Sequence, residues 1–360
     1  MRRRTFLATP LLLPGVARAA SRDPPPLVSY PPVTPGVRLR FPRDHGAHPD
    51  FRSEWWYVTG ALDPPHDDSG FQLTFFRSRP GIAEALQTPI AARQILFAHA
   101  ALTTPEAGLR HTERAARAGL GAAFASDDCN LEIGAWRMFR QETGDGEQFR
   151  LLAPSRHFSF DFTLTPWQAL LLQGDDGYSR KGRAAELASY YVSWPQLQVS
   201  GTLSHDGRKR TVRGRAWFDH EWSTAILGGG AVGWDWIGIN LADGGALMAF
   251  RLRDAQAASV FTHAAWRDAS GKLRQFADGE VFFSVQRIWS SPRTGARYPV
   301  QIEIRFGEHT VRTLPVVDDQ ELATRQPRPI VYWEGLVQLD GSLRGRGYLE
   351  MTGYAGRLQL

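Results

Sequence analysis

Along the chain, apolar and polar residues alternate in short runs and do not recur at the three-to-four spacing of an amphipathic helix. Phe158, Phe160, Phe162 and Leu164 fall on one face of an extended segment, as a half-buried strand requires. Comparable β-rich or alternating runs cover 55–62, 71–78, 94–103, 130–140, 149–152, 158–164, 189–199 and 210–218. They resume at 232–241, 246–252, 259–265, 281–288, 300–306, 330–339 and 342–354. Asp-Gly and Asn/Asp-rich joints separate them, and no strand–helix alternation points to a parallel sheet. The pattern predicts an all-β chain of antiparallel sandwiches or barrels with little helix. One helix is expected, over about 106–125, where Ala and Arg accumulate around Gly119 and Gly121.

Some fifteen strand-like runs exceed what one small barrel uses, which favours two β units. The run Gly228-Gly229-Gly230 is the most flexible joint, so the units are expected at 50–224 and 225–360. Residues 20–49 carry eight prolines and read as an extended arm, free or laid against the body. Residues 1–19 begin with Arg2–Arg3–Arg4, continue through a short apolar stretch and end in Ala17-Arg18-Ala19. That is the layout of a cleavable signal, here of twin-arginine type, and it implies a periplasmic or secreted mature chain. The apolar part spans about ten residues, well short of the roughly 20 a spanning helix needs, so no transmembrane segment is expected in the mature chain.

The 360 residues carry 42 Lys+Arg against 37 Asp+Glu, a formal charge of +5. Four of the arginines lie in the signal-like segment, and without them the balance is 38 against 37, or +1. No basic stripe for a nucleic acid remains. The single cysteine, Cys129, excludes an internal disulfide framework and any Cys-rich metal site. No Gly-x-Ser-x-Gly elbow, His-Glu-x-x-His motif, phosphate loop or dinucleotide turn is present, and no cofactor is indicated. His45, His48 and Asp50 could be drawn as metal ligands, but they sit in the proline-rich arm, and no metal is expected there.

The unusual feature is the pairing of tryptophan with acid. Glu54-Trp55-Trp56-Tyr57, Trp217-Phe218-Asp219-His220-Glu221-Trp222, Trp234-Asp235-Trp236 and Trp333-Glu334 hold seven of the 12 tryptophans. On a strand, Trp234 and Trp236 share one face and Asp235 takes the other; Phe218 and His220 likewise oppose Asp219 and Glu221. A carboxyl desolvated by indoles has a raised pKa and can deliver a proton, and the ring faces can stabilise a cation. Packing of the indoles, with the acids bonding neighbouring N–H groups or arginines, explains the same clusters. Both readings stay open. His220, flanked by acids, is the best candidate for a titrating residue.

Glu54-Trp55-Trp56-Tyr57 and Gly233-Trp234-Asp235-Trp236, together with Gly177–Gly182 plus Ser189-Tyr190-Tyr191, the segment 214–222, the segment 247–253 and the segment 345–354, resemble one family. It is the carotenoid hydratase (CrtC)/AttH group of two-domain lipocalin-like proteins, often described as predicted secreted hydrolases. The resemblance runs from about residue 45 to the C-terminus. It implies two calycin-like antiparallel β-barrels side by side, and relatives that hydrate isoprenoid or isoflavonoid double bonds. AttH-type members tend to occur beside ABC-transporter genes, which implies a transporter partner. The Asp-His-x-Trp element of the hydratase branch falls on Asp219, His220 and Trp222. A Tyr-x-Asp donor of that branch has no counterpart, because the next strand reads Ala246-Leu247-Met248-Ala249-Phe250; Asp235 or Glu54 would take its place.

The expected function is therefore acid-catalysed addition of water to a small hydrophobic molecule, isoprenoid or lipid-like. Asp219, Asp235 or Glu54 would give the proton and His220 would orient the water. Trp55, Trp56, Tyr57, Trp217, Trp222, Trp234, Trp236 and Trp333 would line the pocket. The alternative is a non-catalytic carrier of an apolar ligand working with an ABC-transport system.

Overall fold

The computed structural model describes residues 28–63, 68–86, 88, 91–144 and 146–358, so the signal-like segment 1–19 lies outside them. The chain enters through a proline-rich arm and a single 3-10 turn, Arg43–His45. The first strands are β1 (Ser53–Leu62), β2 (Gly70–Ser78), β3 (Ile95–Thr104), β4 (Gly108–Ala118), β5 (Gly121–Phe124) and β6 (Asn130–Ile133). Next come β7 (Trp136–Thr143), β8 (Gly146–Pro154), β9 (Phe158–Thr165), β10 (Leu171–Leu172) and β11 (Tyr178–Arg180). Two long strands, β12 (Ala188–His205) and β13 (Arg208–Ala225), complete the first sheet. The second sheet holds β14 (Gly233–Leu241), β15 (Ala246–Arg253), β16 (Ser259–Arg267), β17 (Leu273–Phe276) and β18 (Val281–Ser290). It ends with β19 (Arg297–Phe306), β20 (His309–Pro315), β21 (Glu321–Thr324), β22 (Ile330–Gly341) and β23 (Gly345–Thr352).

The order β12-β13-β1-β2-β3-β4-β5-β6-β7-β8-β9 closes on itself through β9–β12 pairing, making an 11-strand barrel. All its pairings are antiparallel except the short β4–β5 contact. The second sheet runs β17-β16-β15-β14-β23-β22-β20-β19-β18 and stays open as a half-barrel. The two-barrel, lipocalin-like plan expected from the sequence is therefore present, with closure in one unit only.

Strand alternation sorts most buried apolar side chains among three large cores, with two small clusters beside them. Trp56, Val58, Phe75, Phe162 and Phe218 fill the first barrel. Ile237, Leu247, Val300, Trp333 and Leu349 fill the second sheet's concave side. The opposite faces of the same strands meet between the units, where Tyr57, Trp217, Trp236, Met248 and Tyr348 pack together. Fully burying one such large apolar side chain stabilises by about 1.5–3 kcal/mol, so the shared cluster fastens the two units firmly.

The expected helix near 106–125 is instead strand. Gly108–Ala118 pairs along its length with β3, from Thr104↔Gly108 to Ile95↔Arg117. Gly119 and Gly121 have φ of 78° and 86°, which ends any helix there, and barrel pairing overrides the local Ala content. The arm lies against the body. Tyr30 donates to the Arg79 carbonyl at 2.7 Å, Thr224 to the Pro31 carbonyl at 2.7 Å, and the buried His45 ring stacks on Trp194. Among the described residues no helix is long and apolar enough to cross a membrane.

Candidate active site

A cavity of about 460 Å³ lies between the two units. In β1, Trp55 and Tyr57 reach it, whereas Trp56 points into the first barrel. In β13, Asp219 and Glu221 reach it, whereas Phe218 packs in the barrel and His220 turns toward the arm. Across the gap, β14 supplies Trp234 and Trp236, β15 supplies Phe250, and β23 supplies Glu350.

Asp219 is the best-defined group. Its Oδ1 accepts the Trp217 indole N–H at 2.7 Å and the Ser193 hydroxyl at 2.6 Å; its Oδ2 accepts the Tyr191 hydroxyl at 2.7 Å. The direction of each bond is fixed by neighbours. Tyr191 oxygen already accepts the Trp236 N–H at 2.9 Å, and Ser193 oxygen accepts the Gln173 amide at 2.8 Å. Both hydroxyls must therefore donate to Asp219. Three of the four acceptor positions of the carboxyl are taken, leaving one on Oδ2 for a proton. Burial pushes the Asp219 pKa up to about 7, against the lowering effect of Ser193, Tyr191 and Trp217.

Glu221 pairs with Lys181 at 2.9 Å, and the ammonium of Lys181 lies over the Tyr191 and Phe250 rings at 4.6 and 4.4 Å. Glu350 accepts the Trp234 indole N–H at 3.2 Å, and its pKa also rises to about 7, through burial and then the charges of Asp219 and Glu221. Glu334 accepts the Tyr57 hydroxyl at 2.6 Å; burial, then Glu350, pushes it well above the usual carboxylate range.

The other sequence candidates lie elsewhere. Asp235 faces the second sheet's interior, held by Arg251 Nε at 2.7 Å, Arg253 Nε at 2.9 Å and the Tyr354 hydroxyl at 3.0 Å. Trp333 is core, donating to the Asp318 carbonyl. Glu54 borders the cavity, yet its carboxylate is consumed on the far side of β1. Arg77 Nε meets Oε2 at 2.7 Å, while His48 Nδ1 and His220 Nε2 meet Oε1 at 2.8 and 2.9 Å. Burial alone would raise its pKa; Arg77 and the imidazoles hold it well below the usual range. Burial lowers the His220 pKa against the pull of Glu54. Trp56 stacks on His220 at 4.6 Å and Trp222 on His48 at 3.7 Å.

His48, Glu54 and His220 present ligand atoms within 4.8 Å of one another, a spacing a metal ion would accept. The Arg77 guanidinium on the same carboxylate and the hydrogen bonds at each imidazole nitrogen already satisfy these donors. The cluster reads as an ion-pair network tying the arm to β1 and β13. His45 and His48 are both buried, but of the three sequence candidates only His48 belongs to the cluster, and Asp50 is exposed.

Sequence reasoning missed Tyr191, Ser193, Lys181, Glu334 and Glu350 as site residues. Two local signals existed: Glu334 stands next to Trp333 in one of the tryptophan–acid pairs, and Glu350 is flanked by apolar neighbours on a strand, as in Leu349-Glu350-Met351. Which strand faces would oppose each other was not readable.

Comparison with known proteins places the chain. The AttH-like family profile matches residues 32–354. The crystal structure of a candidate AttH from Nitrosomonas europaea is 44% identical and superposes with a TM-score of 0.82, covering 90% of this chain and 99% of that one. Kievitone hydratase from Nectria haematococca shares the fold at 14% identity and a TM-score of 0.66, over 92% and 98% of the two chains. CghA does so at 13% identity and a TM-score of 0.51, over 84% and 88%. No curated protein matches the sequence. With the profile spanning nearly the whole described body and a 44% identical relative over nine-tenths of its length, this chain belongs to the AttH-like family.

Proposed function

We propose that the chain is a hydratase-type enzyme that adds water across a double bond of an apolar substrate held between the two units. One observation carries the reading: Asp219 lines the cavity with three donors aimed at it and a single acceptor position left for a proton. In the reaction Asp219 gives that proton to one carbon of the double bond, and the three donors stabilise the carboxylate left behind. The adjacent carbon becomes cationic beside the faces of Trp234, Trp236 and Trp55. Water then forms the new C–O bond and releases a proton, so that the substrate gains one water overall. The mostly apolar walls suit an isoprenoid or other lipid-like molecule. The hydratase named among the structural neighbours agrees with this reading but shares only the fold.

The test is incubation of the folded protein with a membrane lipid extract in water enriched in heavy oxygen, followed by mass spectrometry. A product carrying the label, lost in Asp219→Asn, supports hydration. Recovery of an unaltered lipid bound to the protein supports the carrier alternative, in which an ABC transporter would receive the ligand.

A further inference from the structure

Asp219 accounts for the proton that leaves the protein, but the adding water must lose one. His220, the residue expected for that task, faces away from the cavity and bonds Glu54 and the Asp44 carbonyl. The opposite wall offers another group. Glu334 and Glu350 stand directly opposite each other in the β22–β23 register, on the face turned toward the first barrel. Opposed residues on antiparallel strands hold their Cβ atoms roughly 5 Å apart. Among the described residues no arginine or lysine is ion-paired to either. Glu334 is 1% exposed, and its Oε2 has no protein partner although Oε1 holds Tyr57. A buried carboxyl oxygen left without a protein partner is commonly satisfied by a bound water. Glu350 borders the cavity directly, steadied by Trp234.

The geometry points to Glu350 as the base that takes the proton from the adding water, with Glu334 as its positioning residue. The inference rests on the hydratase reading. Asp219 from the first barrel and Glu350 from the second sheet then act from opposite walls, one giving a proton to carbon and the other taking one from water. Proton count on the protein is unchanged per turnover; a proton passing from Glu350 back to Asp219 resets the site. Glu334 stays neutral and donates from Oε2 to the water or to the Glu350 carboxylate. The pKa near 7 of Glu350 suits a base operating near neutrality.

A base in an apolar cavity can be tested without the natural substrate. A nitrobenzisoxazole loses its ring proton to a carboxylate as its N–O bond breaks, giving a coloured cyanophenolate. The expected result is a wild-type rate above solution that falls ~10²-fold in Glu350→Gln, partly returns in Glu350→Asp, and is unchanged in the surface variant Glu132→Gln. Circular dichroism and thermal unfolding confirm that each variant is folded. Glu334→Leu should move the pH–rate midpoint upward, because the Glu350 carboxylate loses a donor, and Glu334→Gln should bring it back. A purely structural role for Glu334 would lower the rate at all pH values without moving the midpoint. A wild-type rate no higher than that of Glu350→Gln overturns the base assignment. That result is separable from failure of the hydratase reading, which is judged on labelled product from the lipid extract.

Discussion

The hydroxyl of Tyr191 in the first barrel accepts the indole N–H of Trp236 in the second sheet at 2.9 Å, so its own proton is committed to Asp219. One hydrogen bond thus couples the seating of the two units to the protonation of the proposed acid. Separating the units would free Tyr191 to turn away and would leave Asp219 with one donor fewer.

Tyr191→Phe tests this coupling. Losing a donor to the charged form raises the Asp219 pKa, by roughly one to two units if the bond is worth about 1.5–3 kcal/mol. The alkaline limb of the hydration rate, which falls as Asp219 deprotonates near pH 7, should move to higher pH. An unmoved limb with a lowered rate would mean that Tyr191 only shapes the pocket.

Gly238 should be intolerant of a side chain. A Cβ there would overlap the Trp236 ring and press on Trp217 at 3.1 Å. Gly238→Ala should displace the two indoles that reach Tyr191 and Asp219, lowering stability by about 1–3 kcal/mol and abolishing turnover. Wild-type activity in this variant would show that the indole positions are not needed.

Asp235 and Asp219 look equivalent in sequence, each within two residues of a tryptophan, and differ in the fold. Asp235→Ala leaves Arg251 and Arg253 buried without their carboxylate, at a cost of about 3–5 kcal/mol. Chemical denaturation should show that loss, while molecules that remain folded should keep the wild-type pH–rate profile.

The alternation of Phe158–Leu164 and the facing of Trp234 and Trp236 away from Asp235 were legible, because a two-residue period is a local property. So was the opposition of His220 to Asp219. The side of β13 that would face the second unit was not legible, since both faces are buried and carry polar and aromatic residues alike. Reading Asp219, His220 and Trp222 as one site therefore merged two environments on opposite faces of one strand. Glu350 was hidden for a similar reason: nothing within residues 345–354 announces that β23 lies across a cavity from β13. The strand Gly108–Ala118 was masked by its alanines, whose helical preference barrel pairing outweighs.

Stability should respond to pH in two opposed ways. Asp219 and Glu350 have folded pKa values near 7, above their unfolded values near 4, so the folded state holds protons that the unfolded state has released. On their account stability falls as pH rises from about 4 to 7; for Asp219 the shift of roughly three units corresponds to ~4 kcal/mol at most. Glu54 is depressed, so its contribution is present above the unfolded value near 4.5 and is lost as pH falls through the folded value. Burial lowers the pKa values of His45 and His99 to about 3 and of His263 to about 4, so these rings also add stability as pH rises to about 6.5, and unfolding measured across pH should show a maximum on the mildly acidic side of neutrality. Asp219→Asn should flatten the decline toward pH 8, whatever its effect on absolute stability. Glu54→Gln should flatten the acid limb and lower the whole curve, because Arg77 loses its buried partner. If the stability difference between wild type and Asp219→Asn stays constant from pH 4 to 7, Asp219 is ionised throughout, and the proton proposed to start the reaction is not there.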